Sequence, residues 1–246
     1  MLAGKTLGMI FQKASTRTRV SFETGMYQLG GQALFLSTRD LQIGRGEPVE
    51  DTARVLSRYL DGIMIRTFAQ EEVETLAGYG SIPVINGLTD FCHPCQVLAD
   101  LMTVREHKGI LEGLKMCYIG DGDNMANSLI VGGLKTGMRV AVARPNGYRP
   151  EKRAGIRRRF RRRFHPDRRL PGGRRGRGRH LHRRWASMGQ EGEAEKRRAA
   201  FKGYQVNGAL CSCRESGLYG TALSACPPGR GDHRRGVRGA RTGDLR

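Results

Sequence analysis

Apolar and polar positions along the first 148 residues alternate between two periods. KTLGMIF (5–11) is a short apolar run closed by a polar cluster, the pattern of a buried strand. Ser15 or Thr16 can cap a helix running to about Leu29, with Val20, Phe22, Met26 and Leu29 on its apolar face. ALFL (33–36) predicts a strand, and PVEDTARVLSRYL (48–60) a helix with proline in its first turn. GIMIR (62–66) reads as a strand, QEEVETLAGYG (70–80) as a helix closed by glycine, IPVING (82–87) as a strand, and Pro94 to about His107 as a helix. A second unit begins near Gly109, where LKMCYIGDGDNMANSLIVGGLKTGMRVAVARP reads strand, glycine turn, helix, strand. Strands alternating with helices imply an α/β fold of two domains, 1–108 and 109–246, with mostly parallel sheets covered on both faces.

The periodicity then stops. From Arg149 to Arg184 there is neither a helical nor a strand period, and little apolar residue to bury. WASMGQEGEAEKRRAAFKGYQVNGAL (185–210) resumes globular texture with a charged helix and a short strand, and after Cys211 the texture fails again. Residues 149–184 and 211–246 are therefore expected to be poorly packed or disordered, leaving the second domain incomplete, because they bury too little to offset chain entropy.

Charge sharpens the same division. The chain carries a formal +20, which ordinarily points to a polyanionic partner. Yet residues 1–148 hold 15 basic and 15 acidic side chains, whereas 149–184 hold 17 against 2. The excess belongs to the aperiodic text, and the rest looks like a neutral cytoplasmic protein. Six irregularly spaced cysteines do not suggest a disulfide framework, which favours a reducing compartment. No apolar run is long enough to span a membrane, and the start lacks a basic-then-apolar leader.

Three short stretches carry chemistry. STRTR (15–19) places hydroxyls and guanidiniums at a strand-to-helix turn, where backbone N–H groups and the helix dipole favour an anion. Arginine adds bidentate phosphate geometry, although a capped helix with solvated arginines explains the same residues. CHPCQ (92–96) opens a helix and could be a redox dithiol or half a zinc site, but no second pair completes four ligands. His93 and Gln96 are more useful as donors to a carbonyl or phosphate oxygen, or His93 is a satisfied loop residue. GDGDN (120–124) lacks the third glycine of a dinucleotide fingerprint, yet sits where parallel sheets bind ligands.

The ordered set FQKASTRTRVSFE, LQIGRGEPVEDTARVLSRY, IMIRT, HPCQVLADLMT, GDGDNMANSL and WASMGQE closely resembles the ornithine carbamoyltransferases, of the aspartate/ornithine carbamoyltransferase family. The resemblance covers 1–148 and 185–210. The helical region that precedes LAGKTLGMIF in that family has no counterpart. The resemblance implies transfer of a carbamoyl group from carbamoyl phosphate to the δ-amine of L-ornithine, giving L-citrulline and phosphate, a step of arginine biosynthesis and the urea cycle. It implies that Ser15, Thr16, Arg17, Thr18 and Gln42 hold the phosphate, and that Arg66, His93 and Gln96 bind phosphate and the carbamoyl oxygen. Arg66 and His93 are the implied catalytic pair, as preplaced donors to a developing oxyanion. Asn124, Ser187 and Met188 are implied to grip the α-amino and carboxylate groups of ornithine. No cofactor or metal is implied, because carbamoyl phosphate is already activated and catalysis is mainly positioning. The family's trimer is expected to be weakened here. Aspartate carbamoyltransferase shares the phosphate logic, but WASMG and HPCQ favour ornithine.

Three departures stand out. Asp123 replaces the usual Asn of DGNN, and the Asp that the family carries two residues before the Trp of WASMG is here Arg183. HCLP, whose Cys contacts ornithine, is written nowhere. Codon degeneracy accounts for the last two. Gly178 to Arg184 can be encoded so that a one-base shift, with one further base before the Trp codon, reads DVIYTDV before WASMG, and ALSACPPGRG (222–231) so that a one-base shift reads HCLPAHRGE. Residues 149–184 and 211–246 thus read as out-of-frame translations of a carbamoyltransferase gene, and the chain as written is expected to be inactive. The alternative is a nucleic-acid-binding protein with 149–184 as a basic arm on which Phe160 and Phe164 stack bases. That arm would interrupt a domain, so no specific nucleic-acid partner is expected.

Overall fold

A computed structural model describes residues 1–145, 147–148, 164–167, 178–182, 200–201 and 220–222. They divide into two compact units, 1–96 and 97–246.

The first unit is built on four parallel strands, β1 (Thr6–Phe11), β2 (Gln32–Ser37), β3 (Gly62–Arg66) and β4 (Val84–Leu88), in the order β2-β1-β3-β4. Alternation of side chains decides which helix covers which face. Ile10, Ile63 and Ile65 point to the face covered by α2 (Val49–Leu56) and α3 (Gln70–Tyr79), where they pack with Ala53, Val73 and Leu76. Leu7, Met9, Phe11 and Met64 point to the opposite face and meet Phe22 and Met26 of α1 (Thr16–Gln28). Each of these wholly buried Ile or Met side chains contributes about 1.5–3 kcal/mol.

Details differ from the sequence pattern. Phe22 and Met26, one turn apart, are the α1 residues that reach the sheet, while Val20 and Leu29 are 54% and 41% exposed. Leu29 lies beyond the last helical residue, which takes it off the apolar stripe. The helix expected to reach residue 60 stops at Leu56, and Leu60 is buried from the following turn instead. Strand β4 starts two residues later than its apolar pattern, because Pro83 has no N–H to give to the ladder, although its carbonyl still accepts from the Ile63 N–H at 2.9 Å.

The second unit has five parallel strands in the order β7-β6-β5-β8-β9: β5 (Lys115–Ile119), β6 (Arg139–Ala143), β7 (Phe164–Asp167), β8 (Gly178–His182) and β9 (Gly220–Ala222). Met116, Tyr118, Val140 and Val142 pack against α5 (Asn124–Lys135) and against Val97 and Leu101 of α4 (Pro94–Lys108). Gly132 permits this approach, since a Cβ there would lie 2.5 Å from Val97 Cγ1. Strands β7, β8 and β9 fall within the segments that carry no strand period in the sequence. Ladder hydrogen bonds are made by the backbone, so β5 and β6 can pair with neighbours whose side chains carry no strand period. The helix and strand expected within 185–210 lie outside the described residues apart from 200–201, where Phe201 is buried and packs edge-on to Tyr148 at 4.8 Å. Among the described residues, no helix is long and apolar enough to cross a membrane.

Candidate functional site

In the first sheet the strand order reverses between β1 and β3, because β1 leads outward to β2 and β3 leads the other way to β4. Ligands of open parallel sheets bind outside the strand C-termini at such a reversal. Phe11 and Arg66, the last residues of β1 and β3, are partners in register there.

The turn after β1 carries Ser15 to Thr18. Ser15 is the N-cap of α1, extended at φ −159°, and its Oγ accepts from the Thr18 backbone N–H at 3.3 Å. The same hydroxyl donates to Thr18 Oγ1 at 2.9 Å. The first turn of α1 holds no acidic residue, so the positive end of the helix is not neutralised from within. Arg66 is 6% exposed and reaches across from β3, donating from Nη1 to Thr18 Oγ1 at 3.4 Å. That bond brings two motifs 48 residues apart to one point. Thr16 and Arg17 are exposed and line a shallow groove of about 570 Å³ along α1 with Val20 and Thr24. Arg19 turns away, paired with Glu23 at 2.9 Å and stacked over the Phe35 ring at 3.7 Å.

Five polar residues in or beside these motifs, Gln12, Lys13, Thr67, Glu72 and Asp90, were assigned no role from the sequence. Lys13 is nearly buried, pairs with Asp90 after β4, and lies 4.0 Å from the Phe68 ring centroid. Gln12 donates from Nε2 to Glu72 Oε2 at 2.9 Å, while the Thr67 hydroxyl lies between Gln12 Oε1, at 2.7 Å, and Glu72 Oε2. Gln12, Lys13 and Thr67 follow apolar strands and Glu72 opens a helix, which is also how ordinary strand ends and helix starts look.

His93 and Gln96 stand at the head of α4, half-buried, three and six residues after Asp90. The loop carrying them is tied to its neighbour by the Asp90 N–H donating to the Phe68 carbonyl at 2.9 Å. Cys92 and Cys95 are free thiols, both half-buried. Burial pushes both above the ordinary thiol pKa, with Thr89 and Asn86 opposing the rise at Cys92. A zinc or redox reading gains nothing from this, since a reactive thiol needs the opposite shift. Gln42 opens a single 3-10 turn (Gln42–Arg45) and is exposed. Gly44 in that turn lies against the Thr38 carbonyl, where a Cβ would collide with the oxygen.

In the second unit the order reverses between β5 and β8, and the Gly120–Asp123 turn leaves β5 at that place. Asn124, the first residue of α5, is 6% exposed, and its carbonyl accepts from Ser128 Oγ at 2.8 Å. Asp123 is the N-cap of α5: its Oδ1 accepts from the Met125 N–H at 3.0 Å and from Tyr118 Oη at 3.5 Å. Its carboxylate therefore has a structural use that an asparagine side-chain oxygen can also serve. Ser187, Met188 and Arg183 lie outside the described residues.

Comparison with known proteins adds the following. Residues 1–106 match the family domain described as aspartate/ornithine carbamoyltransferase, carbamoyl-P binding domain, and residues 112–161 match the Asp/Orn binding domain of the same description. An ornithine carbamoyltransferase of Oceanobacillus iheyensis is 56% identical over 226 residues, covering 85% of this chain and 66% of that relative. One from Syntrophotalea carbinolica is 56% identical over 216 residues, covering 84% and 69%. The ornithine carbamoyltransferase structure from Pyrococcus furiosus superposes with a TM-score of 0.80 at 44% identity, covering 93% of this chain and 74% of that one. The Thermus thermophilus structure of the same name gives 0.81 at 36% identity, covering 92% and 75%.

Proposed function

The chain belongs to the aspartate/ornithine carbamoyltransferase family, and from that premise we propose that it is an ornithine carbamoyltransferase by descent whose carbamoyl phosphate site is retained and whose ornithine site is incomplete. The reaction transfers the carbamoyl group of carbamoyl phosphate to the δ-amine of L-ornithine, giving L-citrulline and phosphate. The observation that carries the reading is the Arg66–Thr18 hydrogen bond at the reversal between β1 and β3.

In this reading Ser15, Thr16, Arg17 and Thr18 take the phosphate at the head of α1, with Gln42 adding a contact. Arg66 bridges phosphate and the carbamoyl oxygen, and His93 and Gln96 complete the oxygen's donors. As the amine attacks the carbamoyl carbon, negative charge grows on that oxygen and the bond to the phosphate oxygen breaks. Arg66 and His93 oppose the growing charge from fixed positions, which is where preplaced donors accelerate acyl transfer. Phosphate leaves, and the attacking amine gives up a proton. Asn124, Ser187 and Met188 hold ornithine by its α-amino and carboxylate groups. Residues 1–108 form the carbamoyl phosphate domain and 109–246 the ornithine domain, with 149–184 and 211–246 read out of frame. We further place the protein in the cytoplasm, in arginine biosynthesis, with the family's trimer weakened. The basic-arm alternative gains nothing from the relatives, which are ornithine carbamoyltransferases.

The test is a pair of measurements on the purified chain. Calorimetric titration is expected to show carbamoyl phosphate binding that Arg66→Met weakens by roughly 30-fold or more, as for the loss of one partner of a buried charge contact, with citrulline formation below detection. Binding that is absent, or indifferent to Arg66→Met, overturns the retained site.

A further inference from the structure

We propose that Thr67 is a positioning residue for Arg66, holding the guanidinium-bearing end of β3 from the opposite face of the sheet. The inference rests on the reading of Arg66 as a carbamoyl phosphate ligand.

Arg66 and Thr67 are consecutive, so their side chains leave the strand on opposite sides. Arg66 points to the α1 face, where it meets Thr18. Thr67, with no exposed surface, points to the α3 face. The sheet ladder ends at this level and is irregular, since the β3–β4 register shifts between Ile65 and Arg66. Backbone bonds hold the Arg66–Thr67 peptide on both sides: the Gln12 N–H donates to the Arg66 carbonyl, and the Thr67 N–H donates to the Leu88 carbonyl, each at 2.9 Å. Beyond that level side chains take over. The Thr67 hydroxyl accepts from the Phe68 N–H at 2.6 Å and lies between Gln12 and Glu72, whose carboxylate also receives Gln12 Nε2.

This arrangement continues the β1–β3 pairing by one side-chain rung past the register of Phe11 with Arg66. Gln12 comes from the phosphate-binding turn, Thr67 from the arginine strand, and Glu72 from the first turn of α3. The Thr67 hydroxyl accepts from Phe68 N–H and gives its single proton to the Gln12–Glu72 pair, which limits rotation about the end of β3, and that rotation would swing Arg66 away from Thr18. Ligand-binding groups misplaced by about 1 Å lose on the order of 100-fold in effect, so a modest loosening is readable.

The experiment compares Thr67→Val, which keeps shape and loses the hydroxyl, with Thr67→Ser, which keeps the hydroxyl. Carbamoyl phosphate affinity of the full chain is measured by calorimetry, with urea midpoints recorded alongside. Thr67→Val is expected to weaken binding about 10-fold and Thr67→Ser by less than about 3-fold, as for the loss and retention of one buried hydrogen-bond set. The decisive arm is the double variant: in an Arg66→Met background, Thr67→Val is expected to add less than about 2-fold, because the residue acts through Arg66. Additive losses, or no rescue by serine, overturn the positioning role while leaving the carbamoyl phosphate reading intact. Failure of the unaltered chain to bind carbamoyl phosphate overturns both.

Discussion

Lys13 and Asp90 form an ion pair across 77 residues of chain, with the lysine side chain 6% and the aspartate 66% exposed. The pair joins the turn that opens α1 to the loop that leads to His93, and the Phe68 ring covers the ammonium from a third loop. Its asymmetry gives an ordered prediction. Asp90→Ala leaves a desolvated ammonium without its partner and is expected to destabilise the chain by about 1–2 kcal/mol, moderated by the exposure of the carboxylate. Lys13→Met removes the buried charge, keeps the apolar stem, and is expected to stay within about 1 kcal/mol of the parent. Urea midpoints compare the two, and a larger loss for Lys13→Met would reject the account.

Asp123 separates a structural from a recognition role in the second unit. Because its carboxylate caps α5, Asp123→Ala is expected to cost about 1 kcal/mol and Asp123→Asn about 0.5 kcal/mol or less. Thermal unfolding of the two variants measures this. Equal losses would mean that the negative charge, not the cap, is what α5 requires.

The first sheet and strands β5 and β6 of the second were legible because an apolar run between polar turns predicts a strand, and α1 because Phe22 and Met26 repeat at helical spacing. Ser15 to Thr18 stood out for a chemical reason, since hydroxyls and guanidiniums at a strand-to-helix turn favour an anion, whereas Arg66 was singled out only by the family resemblance of IMIRT. Lys13, Gln12, Thr67 and Glu72 were not. Each looks like a routine polar residue until the reversal of strand order brings β1 beside β3, and adjacency of strands is a property of the whole sheet. Strands β7, β8 and β9 were invisible for the complementary reason, since their pairing is written in the backbone and not in side-chain period.

The thiols of Cys92 and Cys95 supply a pH prediction. Burial raises both, so each is less ionised at neutral pH than an exposed thiol. Alkylation by iodoacetamide at pH 7 is expected to be slower in the folded chain than in urea, with mass spectrometry reading the two sites. A raised thiol pKa also means that the associated stability is fully present below the ordinary value of 9.0 and is lost as pH rises through the folded value. The stability difference between the parent and Cys92→Ser should therefore change above pH 9 and not below. Equal alkylation rates in the folded and unfolded chains would contradict the burial of these sulfurs.

The out-of-frame reading of 149–184 and 211–246 makes the strongest prediction, because it can be reversed. A gene rebuilt so that WASMG is preceded by DVIYTDV, and so that HCLPAHRGE replaces 222–231, puts aspartate in place of Arg183 and restores the lost cysteine loop. In the chain as written, position 183 is arginine where the out-of-frame reading restores aspartate, the residue proposed to pair with the amine of ornithine. Losing one partner of a desolvated charge pair costs about 2–5 kcal/mol, and reversing its sign costs more. The first loss alone corresponds to roughly 30- to 4,000-fold in ornithine recognition. Carbamoyl phosphate binding, for which residues 15–18, 42, 66, 93 and 96 are proposed, should be little altered by the rebuilding. Citrulline formation should move from undetectable to measurable, and putting arginine back at that one position of the rebuilt enzyme should abolish it again. Sequencing the source DNA across the two segments is the complementary check. An intact frame there, with citrulline made readily by the chain as written, would reject the reading outright.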